Sequence, residues 1–315
     1  MEPFTHVVAL TAPLFLLIFV GYSLARFGGW PPAASDALTR FVFSVAVPAL
    51  LFRLMSDFSS LPPVDARLLI AYFGGCVAVF VGARIIAARA FGLGGVDQSI
   101  FGLGTIFSNN VLLGVPLAQV TLGAPAMPTV SLIVVFNALL LWTLVTVSVE
   151  WARHGEVSVS ALAKTARQVA LNPVIAGILV GTAWGFTGLA LPRFADDTLA
   201  LVAQAAVPLS LIALGMGLAE YGLRAEWRQS ATITLVKLLV QPAVVYALAR
   251  ALDLPSRETQ AVTVMAALPV GANVYLMSRE FDAMGGPVAA SLVLSTALAA
   301  ATVPVVLLLL GGSPP

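Results

Sequence analysis

Apolar runs of about 20 residues, nearly free of charge, follow one another along this chain, and about 20 such residues are what a helix needs to cross a bilayer. Ten of them fall at roughly 6–26, 37–55, 66–90, 98–122, 127–149, 170–190, 197–219, 229–251, 258–279 and 287–311. Lipid offers no partner for a backbone N–H or C=O group, so each run is expected to be helical. Composition agrees: 59% of the residues are apolar and 10% are charged, against about 25% charged in a soluble globular chain. The expected fold class is an all-α integral membrane protein. A net charge of +1 and the lack of a basic cluster argue against a nucleic-acid partner. The lone Cys76 excludes an internal disulfide and a cysteine metal cluster, and His6 and His154 are too few and too far apart for a histidine site. No metal, cofactor or catalytic constellation is expected, and Gly92-Leu93-Gly94-Gly95 reads as a turn, since it lacks the downstream Lys and hydroxyl of a phosphate loop.

No Lys or Arg precedes the first run, so residues 6–25 read as a retained span and not as a cleaved leader. The longest polar connection, Trp151 to Gln168, divides the spans five and five. That gives a first five-helix repeat at 1–155, a cytoplasmic linker at 156–169 and a second repeat at 170–315. One set of loops and span ends holds ten cations: Arg26, Arg40, Arg84, Arg89, Arg153, Lys164, Arg167, Arg224, Arg228 and Arg279. The opposite set holds five, Arg53, Arg67, Arg193, Arg250 and Arg257. The excess places the first set in the cytoplasm and both chain ends outside. Trp30, Trp151 and Trp227 then fall at cytoplasmic boundaries, where interfacial anchors belong.

An odd number of spans per half makes the halves antiparallel, and their proline pattern repeats. Val47-Pro48-Ala49 in span two matches Val207-Pro208-Leu209 in span seven. Span four is interrupted at Ser108-Asn109-Asn110 through Gly114-Val115-Pro116, and span nine at Leu268-Pro269-Val270-Gly271-Ala272-Asn273. Paired interruptions at corresponding places in two halves point to a transporter's binding site near mid-membrane. At each, Pro116 or Pro269 removes an amide donor, while Gly114 or Gly271 lets the chain unwind. The half-helix that starts there turns unpaired N–H groups and a positive dipole end to the gap, which suits a carboxylate. Asn109, Asn110 and Asn273 are placed beside those ends, either as ligands or as partners for the freed backbone.

Lys237 is the one charged residue deep in a span, with Gln241 a turn further on. It reads as a countercharge for an anionic substrate, as a cation neutralising carbonyls at a break, or as a snorkelling side chain. Asn137, amid apolar neighbours in span five, either lines the same cavity or hydrogen-bonds another helix. The glycines Gly177, Gly181 and Gly185 form a stripe in span six that fits intramolecular helix packing or a homodimer contact. No Asp or Glu lies deep in a span, which disfavours proton coupling through a carboxylate.

The stretches Val47-Pro48-Ala49-Leu50-Leu51-Phe52, Ser108-Asn109-Asn110 through Pro116-Leu117, and Ala266-Ala267-Leu268-Pro269-Val270-Gly271 resemble, in order and spacing, the auxin efflux carrier family. That family includes plant PIN-type carriers and bacterial carriers of malonate or malate. The resemblance implies ten helices in a 5+5 inverted repeat similar to the sodium/bile-acid carriers, with broken helices four and nine crossing in a domain that moves against a scaffold. It further implies a small organic anion as substrate, a mono- or dicarboxylate moved by alternating access across a bacterial inner membrane. The long cytoplasmic loop of long plant members is missing, which places the chain nearer the bacterial branch. No acidic residue stands in the span-nine break, where the bile-acid carriers hold sodium, so a sodium symporter is the alternative and a membrane receptor a more distant one.

Overall fold

A computed structural model describes residues 2–57, 65–154, 159–160, 163, 166–167, 171–219 and 226–311. The linker expected at 156–169 lies for the most part outside the described residues, as do Lys164 and Arg224. Among the described residues the fold is all helical. In chain order the helices are α1 (Glu2–Arg26), α2 (Pro32–Ser56), α3 (Arg67–Phe91), α4 (Gly95–Ile106), α5 (Asn110–Thr121) and α6 (Ala124–Arg153). They continue as α7 (Pro173–Phe186), α8 (Arg193–Leu218), α9 (Trp227–Ala251), α10 (Ser256–Ala266), α11 (Ala272–Glu280) and α12 (Gly285–Leu309). Six of them, α2, α3, α6, α8, α9 and α12, are long and apolar enough to cross a membrane. The runs expected as spans four and nine are each divided, into α4 and α5 and into α10 and α11. At 1.5 Å per residue the 12 residues of α4 reach about 18 Å, well short of a hydrocarbon core of about 30 Å, so each half ends inside the apolar layer.

Three prolines inside these helices share one arrangement. Pro48, Pro116 and Pro242 each stand two residues beyond a π-turn, at Val42–Ala46, Asn110–Gly114 and Val236–Val240. A proline ring collides with the carbonyl four residues back and supplies no N–H. Widening the preceding turn to an i→i+5 spacing removes the collision while the helix continues. A fourth π-turn, Asn137–Leu141, divides α6 without a proline. In α8 the helix is interrupted at Ala205, just ahead of Pro208.

Two helix pairs approach backbone to backbone through glycine. A Cβ on Gly21 of α1 would lie 2.1 Å from the Ile212 carbonyl oxygen of α8, and one on Gly215 of α8 would lie 1.9 Å from the Ile18 oxygen of α1. In the same way Gly177 and Gly181 of α7 abut the Pro48 and Phe52 carbonyls of α2, at 2.7 and 2.5 Å. The span-six stripe is thus occupied by the chain's own α2 and is not free for a homodimer contact. Trp30, Trp151 and Trp227 are exposed at helix ends.

Gly215→Val is expected to force α1 and α8 apart and to destabilise the fold by about 3 kcal/mol or more. Thermal unfolding in detergent checks this, with Gly82→Val as control, because a Cβ at Gly82 meets nothing within 4 Å.

Candidate functional site

The first break lies between α4 and α5. Helix α4 stops at Ile106, Phe107 is extended (φ −85°, ψ 103°), and Asn109 (φ −76°, ψ 65°) leads into α5. The second lies between α10 and α11, with Gly271 extended (φ −77°, ψ 143°) before the new helix. The two unwound pieces run antiparallel against each other, Ser108 opposite Val270. The Asn109 N–H donates to the Pro269 carbonyl at 3.0 Å, and the Gly271 N–H donates to the Phe107 carbonyl at 2.8 Å. Val270 N–H donates to the Ser295 hydroxyl of α12 at 3.0 Å. Backbone groups that lipid would leave unpaired are therefore paired break to break. Gly271 permits the approach: a Cβ there would lie 2.9 Å from the Ser108 carbonyl oxygen.

The remaining carbonyls are met from α9. Lys237 is fully buried and its ammonium donates to the carbonyls of Ala266 (2.7 Å) and Leu268 (2.5 Å), at the C-terminal end of α10. A cation at a helix C-terminus is favoured by the dipole as well as by the hydrogen bonds. One turn on, the Gln241 amide donates to the carbonyl of Ile106, the last residue of α4, at 2.8 Å and to the Cys76 sulfur at 3.4 Å. One helix thus caps both breaks, with side chains four residues apart on one face. From α3 the Tyr72 hydroxyl donates to Ser108 at 3.3 Å.

Two expectations shift in place, and of the three readings of Lys237 the geometry matches the cation at the break carbonyls. Pro116 does not sit in the unwound stretch: it lies in the second residue after the π-turn, inside α5, because the widened turn absorbs the ring. Gly114 is helical (φ −65°) and does not unwind the chain. Its lack of a side chain serves packing, since a Cβ would lie 2.6 Å from Leu268 Cδ1 and 3.0 Å from Met265 Cε. Lys237 is directed to the break carbonyls and is not among the residues that line the cavity described next.

A cavity of about 50 Å³ opens at the crossing of the breaks. Its lining includes Phe107, Ser108, Asn109, Asn110, Val111 and Leu112 from the first break and Gly271, Ala272 and Asn273 from the second. The first residues of both α5 and α11 thus face it, and these are the positions whose N–H groups have no intrahelical acceptor. The opposite wall comes from Phe43 of α2, Val134 and Asn137 of α6, and Asn172, Val174 and Ile175 at the start of α7. Of the residues singled out in the sequence, Asn109, Asn110, Asn137, Gly271 and Asn273 line the cavity, whereas Gly114, Pro116, Lys237 and Pro269 stand behind it. Asn172 escaped notice; Asn172-Pro173 reads only as a helix cap, and its oxygen does accept from the N–H groups of Val174 and Ile175. No charged side chain lines the cavity among the described residues.

Paired half-helices whose N-termini meet at a shared cavity are an arrangement found in membrane transport proteins. The membrane transport protein family matches residues 6–307, and the chain belongs to it, the auxin efflux carrier family. It is 28% identical over 302 residues to the "Putative malonate transporter" of Rhizobium meliloti, covering 95% of this chain and 94% of that protein. It is 22% identical to auxin efflux carrier component 8 of Arabidopsis thaliana, over 88% of this chain and 90% of the relative. An uncharacterized transporter of Methanocaldococcus jannaschii is 24% identical over 90% of this chain and 92% of its own length.

Lys237→Met would leave the Ala266 and Leu268 carbonyls buried without their donor, at a cost of about 2–4 kcal/mol. The expected result is a lower unfolding temperature in detergent; a variant as stable as the parent protein would refute the capping role.

Proposed function

We propose that the protein is a secondary transporter of small organic anions that binds a carboxylate where the two breaks cross and moves it by alternating access. The observation that carries this reading is the cavity itself, lined by two helix N-termini and by asparagines, with no charged side chain. Helix-terminal N–H groups and amide donors bind an anion without a full countercharge and so without the tight hold of an ion pair in a low dielectric. The names of the malonate and auxin relatives agree with a carboxylate substrate.

The wider architecture follows as ten spans in a 5+5 inverted repeat, the first repeat at 1–155 and the second at 170–315. Two facts support it. In such a repeat α7 corresponds to α1 and α8 to α2, so the glycine contacts α1 to α8 and α7 to α2 are one contact made twice. The two breaks, likewise, exchange reciprocal hydrogen bonds. Helices α1, α2, α7 and α8 form the scaffold, and the breaks with α3, α9 and α12 form the body that moves against it. The excess of Lys and Arg places the chain ends outside a bacterial inner membrane. Sodium coupling is disfavoured because the carbonyls of the second break already hold an ammonium ion.

The test is electrogenic current from purified protein in liposomes, challenged with malonate, malate and indole-3-acetate, with and without sodium. Current with the short acids and no sodium requirement is expected. A current that appears only with sodium would make the protein a symporter, and tight binding without flux would make it a receptor. Asn110→Leu is expected to weaken the apparent affinity for the short acid about tenfold or more, through loss of both amide contacts.

A further inference from the structure

The cavity holds hydrogen-bond acceptors that receive no hydrogen bond from the protein among the described residues. Asn110 is 4% exposed; its Oδ1 has no hydrogen-bond partner, and its amide nitrogen has the Tyr72 hydroxyl oxygen as its polar neighbour. Asn137, also 4% exposed, has an unpartnered Oδ1, and Asn109, 5% exposed, has an unpartnered Nδ2. The Tyr72 hydroxyl donates its single proton to Ser108 at 3.3 Å, so toward the Asn110 amide it can only accept. Asn172 contributes a donor end, because its oxygen is engaged at the start of α7. The cavity therefore presents donors from Asn109, Asn110, Asn172 and the two helix starts, together with acceptors at Asn110 and Asn137.

An ionised carboxylate only accepts. It satisfies the donors and leaves the oxygens of Asn110 and Asn137 facing further lone pairs, at the full cost of buried unpaired groups. A second negative charge would also lack any countercharge, since Lys237 is committed to the carbonyls of Ala266 and Leu268. We propose that the ligand is a monoanion carrying one ionised carboxylate and one hydrogen-bond donor a few bonds away. A short dicarboxylate is then bound and carried in its singly protonated form. This rests on the reading of the cavity as the carboxylate site. The titratable groups nearest the breaks are Tyr72, Cys76 and Lys237. They face Ser108, Gln241 and the break carbonyls, and none lines the cavity, so the proton enters with the ligand.

Uptake of malonate into proteoliposomes, measured over a pH series that spans its second ionisation, tests this. The KM expressed as monoanion is expected to stay constant while the KM for total malonate rises with pH. Two analogues of fixed charge separate charge from donor: malonamate, a monoanion with an amide donor, and monomethyl malonate, a monoanion without one. Malonamate is expected to compete at every pH, and the ester to compete about tenfold or more weakly. In Asn137→Leu that preference is expected to shrink several-fold. A KM constant as dianion, or an ester that competes as well as malonamate, would overturn the monoanion proposal while leaving a carboxylate carrier in place. Failure of all three acids to be carried or to compete would overturn the carboxylate site itself.

Discussion

Backbone hydrogen bonding inside lipid is the constraint on which this structure depends. A helix satisfies its own N–H and C=O groups, and a helix interrupted in the apolar layer does not. Two interruptions in one chain would each be costly alone. Here they meet antiparallel and exchange two N–H···O=C bonds, Asn109 to Pro269 and Gly271 to Phe107. The lone backbone donor of Val270 goes to Ser295, and the carbonyls that remain go to Lys237 and Gln241 of α9. What is left over is the pair of helix starts at α5 and α11, and these face the cavity. The break-to-break and side-chain bonds thus pair much of the interrupted backbone, and the starts of α5 and α11 face the cavity.

That accounting also ties the parts together mechanically. Because Lys237 and Gln241 sit four residues apart on one helix and hold α10 and α4 respectively, α9 fixes the two breaks in a single register. Neither break can shift along the membrane normal without the other unless both sets of buried bonds are lost. In the opposite wall of the cavity, formed by α2, α6 and α7, the α2 and α7 parts are packed together through Gly177 and Gly181. The cavity lies where helices tied by side-chain caps meet helices tied by glycine contacts.

Much of this was legible in the chain because prolines and glycines in an apolar run have few physical meanings. The interruptions near Asn109 and Pro269, the buried cation at Lys237 and the turn at Gly92 could all be named from residue chemistry. Where Lys237 points could not, since its partners are carbonyls 29 and 31 residues away and carbonyls leave no trace in sequence. Gly114 and Pro116 were placed in the unwound stretch, yet both are helical, because a proline inside a helix has two solutions. It can end the helix, or it can sit beyond a widened turn, and the choice depends on what packs against the freed carbonyls. Asn172 is not singled out in the sequence; it caps α7, and its place in the cavity wall follows from tertiary packing alone.

The π-turns also explain why periodicity could not assemble the cavity wall. Each inserts one residue into a helix of 3.6 residues per turn and so rotates everything beyond it by about 100°. A face read as lipid-directed on one side of Val42–Ala46, Asn110–Gly114 or Asn137–Leu141 becomes a different face on the other. The cavity takes Phe43, Asn110 to Leu112, and Asn137 from these three turns. The same insertion brings polar side chains inward on helices whose outer residues meet lipid. It also opens the backbone spacing just where a small ligand needs room. Placing the widened turns at one level of the bundle thus yields a polar pocket within an apolar structure, with no charge buried to line it.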